Sequence, residues 1–138
     1  MRLRVSHLEQ VLQYAARAYP VECFGFLVGE AAEGGIVHQV VAGNNCCHTR
    51  RDRFEMDPQQ FVAMDHQAEA AGWEVIGFYH SHPDWPATPS QADLDMAWDY
   101  TYYLIVSVRE GHPREALLWR LAPDPPRRFV AEELDIEG

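Results

Sequence analysis

Apolar residues recur at helical spacing at Leu8, Val11, Leu12, Ala15 and Tyr19, which predicts an amphipathic helix with its apolar stripe turned inward. Ser6-His7-Leu8-Glu9 has the spacing of a capping box at its start, and Pro20 stops it. The pattern then shortens to apolar runs at about 24–28 and 36–41, read as strands, with the small-residue stretch 31–35 as their connection. Another short strand is expected at 53–56. Asp57 can cap a second helix with Pro58 in its first turn, and Phe61, Met64 and Ala68 mark its inner face before Gly72. The β-branched and aromatic run 74–80 reads as a buried strand. Pro83, Pro86 and Pro89 prevent its continuation, and a third helix is expected over 90–98. Beyond it, 102–108 suits a central strand, Gly111-His112-Pro113 turns the chain toward a strand at 115–121, and a final strand is expected near 128–133. This order predicts an α+β fold, a mixed sheet with helices on its faces, in one domain spanning residues 1–138.

Composition narrows the class. At 138 residues and 47% hydrophobic, the chain is long enough for one domain with a substantial core. A net charge of -10 argues against a nucleic-acid partner, since phosphate contacts need clustered Lys and Arg. The short basic clusters Arg50-Arg51-Asp52-Arg53 and Arg127-Arg128 read as solvated surface. No apolar run reaches the roughly 20 residues of a spanning helix, and Met1-Arg2-Leu3-Arg4-Val5 lacks the apolar region of a signal peptide. Three cysteines, with Cys46 and Cys47 adjacent, make a poor disulfide framework, so reduced thiols and a cytoplasmic location are expected. Cys23 reads as a small core residue, and Cys46-Cys47-His48 as a loop rather than a second metal site.

One stretch carries chemistry. His80 and His82, two apart on extended chain, project to the same side with their Cα atoms roughly 6.5 Å apart, within reach of one metal ion. Asp93 falls in the first turn of the third helix, where the chain can return its carboxylate to the histidines. Three protein ligands leave the fourth tetrahedral position of zinc open, the arrangement of catalytic sites. The residues also have plainer readings: Ser90 can simply cap the helix with Asp93 answering its first turn, and a His-x-His pair can be two polar residues at a strand end.

From His80 to Asp93 the spacing is His-x-His, seven residues, Ser, two residues, Asp, and it resembles the JAMM motif of the JAB/MPN/Mov34 metalloproteases. The segment Glu22-Cys23-Phe24-Gly25-Phe26-Leu27 is similar to the one that carries that family's glutamate, and the flanks of the motif look like its short stand-alone bacterial members. The resemblance implies a JAB/MPN-like domain with a curved mixed sheet, related in architecture to the cytidine deaminases. It also implies one Zn²⁺ per chain on His80, His82 and Asp93, with Glu22 as general base and Ser90 as a donor to the oxyanion. Spacing alone leaves Glu30, Glu55 and Glu74 as competing glutamates. A deaminase would need His-x-Glu and Pro-Cys-x-x-Cys, and neither is present.

The family resemblance further implies hydrolysis after the C-terminal Gly-Gly of a ubiquitin-like protein or a ThiS/MoaD-type sulfur carrier, whose tail can lie extended along a strand edge. The competing reading is a non-catalytic MPN-type scaffold module; such modules usually lack some of the metal ligands. Trp85 and Pro86 are candidates either for a wall of the tail groove or for bracing the loop, and the segment 43–52 for a border of the cleft.

Overall fold

A computed structural model describes residues 1–45, 57–98 and 101–138. Its elements run β1 (Arg2–Arg4), α1 (Val5–Ala18), β2 (Phe24–Glu30), a 3-10 turn (Ala32–Gly34), β3 (Ile36–Ala42), α2 (Pro58–Ala70), β4 (Glu74–Pro83), α3 (Gln91–Met96), β5 (Tyr102–Arg109), β6 (His112–Ala122), β7 (Arg128–Glu132) and β8 (Asp135–Glu137). The strand expected at 53–56 and the Cys46-Cys47-His48 segment lie outside the described residues.

The eight strands form one mixed, curled sheet in the order β7-β6-β5-β4-β2-β3-β1-β8. β4 lies at its centre, antiparallel to β2 and parallel to β5. Apolar side chains on the two faces make two separate cores. On one face α1 places Val11 and Ala15 against Leu27, Tyr79, Leu104, Val106 and Leu118. On the other, Met64 and Ala68 of α2 pack with Phe24, Phe26, Phe78 and Tyr103. The sheet is therefore covered on both sides, which is why β2 and β5 read as nearly continuous apolar runs rather than alternating ones. A close approach is built into the middle of it: Gly25 and Tyr79 are register partners, and a Cβ on Gly25 would run into the Tyr79 ring.

Local signals explain most boundaries. α2 is capped by Asp57, whose carboxylate accepts the Gln59 N–H at 2.9 Å, with Pro58 as the first helical residue. α1 ends at Ala18, one turn position before Tyr19-Pro20. Its start differs from expectation. The helix begins at Val5, so Ser6 is its second residue and not its cap, and the Arg4 N–H instead meets His7 Nδ1 at 3.4 Å. The cause is β1: pairing of Arg2–Arg4 with β3 and β8 fixes the chain up to Arg4 and starts the helix there. β1 and β8 are three residues each and exist through this terminal pairing, too short for periodicity to reveal. Among the described residues no helix is long and apolar enough to cross a membrane.

Candidate metal centre

β4 does not stop at His80 but continues through Pro83, so both histidines stand on one ordered strand. Alternation sends their rings to the same face as Phe78, toward α2 and α3. The imidazole Nε2 atoms lie 3.2 Å apart, and both residues are almost fully buried. Asp93 comes from the first turn of α3. Its Oδ1 lies 3.1 Å from His80 Nε2 and its Oδ2 3.0 Å from His82 Nε2, with the carboxylate only 7% exposed.

One arrangement caps the helix and turns the Asp93 carboxylate toward the histidines. Ser90 caps α3, its Oγ accepting the Asp93 N–H at 3.1 Å, while Asp93 Oδ2 accepts the Ser90 N–H at 2.9 Å. The capping box thus fixes the carboxylate that faces the histidines. Its hydroxyl oxygen is occupied as an acceptor, but its own O–H is a donor that the cap does not use.

Glu22 reaches the cluster through strand register. Phe24 pairs with His80 and Gly25 with Tyr79, and continuing that register two residues back sets Glu22 opposite His82 on the same face. Two hydrogen bonds carry the pairing past the end of β2: Ser81 N–H to the Cys23 carbonyl at 3.2 Å, and Cys23 N–H to Ser81 Oγ at 2.8 Å. The Asn45 side-chain amide donates a hydrogen bond to the Glu22 carbonyl at 2.8 Å. Glu22 is 2% exposed, with Oε1 4.0 Å from His82 Nε2. Glu30 and Glu74, the other described candidates, are exposed at the far end of the β2–β4 pairing.

Among the described residues, Glu22, His80, His82 and Asp93 offer ligand atoms that all lie within 4.8 Å of one another. The donor set fits zinc. Zn–N and Zn–O bonds of about 2.0–2.1 Å in a tetrahedron separate neighbouring ligand atoms by about 3.3 Å; the two Nε2 atoms are 3.2 Å apart, and each faces a different Asp93 oxygen, Oδ1 at 3.1 Å from His80 and Oδ2 at 3.0 Å from His82. Glu22 stands slightly farther out. Ionisation states suit a cation as well. Burial would by itself raise Asp93, but its contacts with His80 and His82 and the Ser90 N–H together hold its carboxyl well below the usual range. Burial is also the main reason that His80 is lowered and kept neutral, as a ligand nitrogen must be.

Supporting contacts that spacing did not reveal surround the cluster. The Pro86 carbonyl lies 2.7 Å from His82 Nδ1 and thereby fixes the ring so that Nε2 faces inward. The proline-rich loop is itself braced, with Ser107 Oγ donating to the Trp85 carbonyl at 2.6 Å and Trp119 Nε1 to the Ala87 carbonyl at 3.0 Å. Ser81, between the histidines, turns to the opposite face and ties Glu22's strand to theirs. A backbone carbonyl leaves no mark in a sequence; Ser81 could have been found by extending the antiparallel register. The Trp85 carbonyl is part of the loop's brace, while its side chain is exposed and lines a cleft with Glu22, His82, Ser90 and Gln91.

Comparison with known proteins agrees with this geometry. The model of the prokaryotic homologs of the JAB domain matches residues 4–122. A desampylase from Haloferax volcanii is 34% identical over 105 residues, covering 75% of each chain. A solution structure of a protein from Desulfitobacterium hafniense superposes with a TM-score of 0.85 at 29% identity, over 99% of this chain and 92% of that one. The crystal structure of a JAB1/MPN domain protein from Archaeoglobus fulgidus shares the fold, with a TM-score of 0.63 at 19% identity over 100% and 97% of the two chains. With its buried His, His, Asp and Glu consistent with a JAMM zinc site, the chain belongs to the prokaryotic branch of the JAB/MPN family.

Proposed function

We propose that this protein is a zinc peptidase or isopeptidase that hydrolyses the bond after the C-terminal Gly-Gly of a ubiquitin-like or ThiS/MoaD-type sulfur-carrier protein. The observation that carries the reading is the convergence of His80, His82 and Asp93 at 3.0–3.2 Å with the Glu22 carboxylate just beyond them. Similarity to a desampylase supports a ubiquitin-like substrate. The odd cysteine count, with Cys46 and Cys47 adjacent, supports a reducing setting.

His80, His82 and Asp93 would hold one zinc ion per chain. Zinc bound there would act as a Lewis acid and bring the pKa of water down to about 7. Glu22, within reach of the open side of the three donors, takes one proton from the attacking water. The water oxygen bonds to the carbonyl carbon after Gly-Gly, the C–N bond breaks, and Glu22 returns the proton to the departing amine. The Ser90 O–H, left free by the cap, donates to the developing oxyanion. The exposed Trp85 ring forms one wall of the cleft in which the glycine tail lies.

Retention of all five residues opposes the scaffold alternative. The test is to incubate zinc-loaded protein with sulfur carriers and ubiquitin-like proteins extended beyond Gly-Gly, and to follow their masses with and without a chelator. Chelator-sensitive loss of the extension is the expected result. A chain that binds no zinc and cleaves nothing would be a scaffold, and cleavage indifferent to chelation would remove the metal mechanism.

A further inference from the structure

Besides the Trp85 cleft, two residues of the same cluster line a second recess. Here His80 and Asp93 are joined by the rings of Phe24, Phe78, Trp98 and Tyr103 around a cavity of about 170 Å³. The rings hold each other in place: Phe78 lies 6.4 Å from Phe24, 5.5 Å from Trp98 and 5.7 Å from Tyr103, measured between centroids. The Tyr103 hydroxyl is engaged, accepting the Trp98 N–H at 2.7 Å. Met96 and Trp98, both large and apolar, remain about two-fifths exposed at the mouth, at 42% and 41%. Trp98 packs on Phe78 and Phe61, at 5.5 and 4.5 Å between centroids, while part of its surface and of Met96 faces solvent; neither residue is used in the hydrolytic reading.

A dry recess of about 150 Å³ is enough to bind benzene, so this one has the size of a benzyl or isobutyl group. Its position restricts whose side chain can enter. Because its wall is made of two metal-site residues, the occupant must belong to a residue bonded directly to the scissile group; a residue two or three further along an extended tail is displaced by about 7–10 Å. On the acyl side of the proposed reaction that residue is glycine, which has no side chain. We infer that the aromatic recess is a specificity pocket for an apolar side chain on the amine side, so that the preferred substrate carries a bulky apolar residue immediately after Gly-Gly rather than an acidic residue or a lysine isopeptide. This rests on the proposed Gly-Gly peptidase reading and names its leaving group.

The test uses the full-length, zinc-loaded protein and one sulfur carrier extended after Gly-Gly by Phe, Leu, Ala or Asp, alongside a lysine isopeptide of the same carrier. The expected kcat/KM for Phe and Leu exceeds that for Ala by about 10–100-fold, the range available to a few methylene groups in an apolar pocket, with Asp lowest. Ala97→Leu, which narrows the recess, should compress the Phe-to-Ala ratio toward one. Met96→Ala, at the exposed mouth, should shift the preference toward the still larger Trp, and it keeps the test open should the first variant not fold. Chelator-sensitive cleavage at equal rates across the series, or a preference for Asp or the isopeptide, would overturn the pocket while leaving the peptidase reading in place. Absence of chelator-sensitive cleavage for every member would remove both.

Discussion

Glu22 and Asp93 are both buried carboxylates beside the same two imidazoles, at different distances from them. Asp93 lies at ligand spacing from both rings, and Glu22 Oε1 is 4.0 Å from the nearer one. Glu22→Gln keeps the shape and removes the proton acceptor, so zinc content should stay near one per chain while kcat falls by about 10²–10⁴-fold; metal analysis and single-turnover cleavage on the same preparation check it. Normal turnover in that variant would remove Glu22 from the reaction. Next to it, the Cys23 thiol is pushed up to about 11 from an ordinary 9.0, chiefly by burial. The folded state therefore keeps a proton that the unfolded chain releases. That stabilisation is fully present below about pH 9 and is lost as pH rises toward about 11, a loss of about 2–3 kcal/mol. Urea midpoints at about pH 8 and about pH 10.5 should differ more for the wild type than for Cys23→Ala. His80, His82, Ser90 and Asp93 were legible from spacing, because a strand of period two and a capping box fix those side chains locally. Glu22 was legible by family resemblance alone, since what delivers it is a pairing across 58 residues through Ser81 Oγ.

α3 poses a different problem. Six residues are too few for a helix to persist by propensity, yet this one must present both Ser90 and Asp93 to the cluster. Its N-terminus is held by the capping box. Its C-terminal carbonyls are held from outside: Arg127, arriving from the turn between β6 and β7, donates to the Leu94 carbonyl at 2.5 Å and also to that of Ala97. A guanidinium there satisfies two orphan acceptors and opposes the negative end of the helix. Arg127→Ala should therefore loosen α3 and weaken zinc affinity by about tenfold or more, the usual scale for losing an outer-shell support, with Arg127→Lys restoring part of it. Competition against a chromogenic chelator measures this; unchanged affinity would show that α3 needs no external clamp. Composition gave no hint of the role, for Arg127-Arg128 reads as a solvated basic pair in a chain short of cations. Helices with a clear stripe or cap, α1 and α2, were legible within a few residues of their ends. The terminal strands β1 and β8 were not, since three residues each are too short for periodicity and both exist through distant pairing, β1 with β3 and β8, and β8 with β1.

The whole molecule joins its two cores across the sheet, and the metal centre sits where β2, β4 and α3 meet on one face. Metal binding should therefore be linked to global stability. With no metal, two imidazoles and a carboxylate remain buried at 3.0–3.2 Å from one another. The unfolded chain holds these residues 13 positions apart at most and has no preformed site, so zinc favours the folded state by mass action. Free zinc at a hundred times the dissociation constant contributes about 2.7 kcal/mol, which for a domain of this size moves Tm by roughly 10 °C. Thermal unfolding with added zinc and with chelator should separate by about that much. His82→Ala should abolish the separation, while Glu22→Gln, outside ligand distance, should keep most of it. The two variants together distinguish a metal that organises the fold through three side chains from one that needs the fourth. A shift that vanished equally in both would make Glu22 a ligand and move the general base elsewhere.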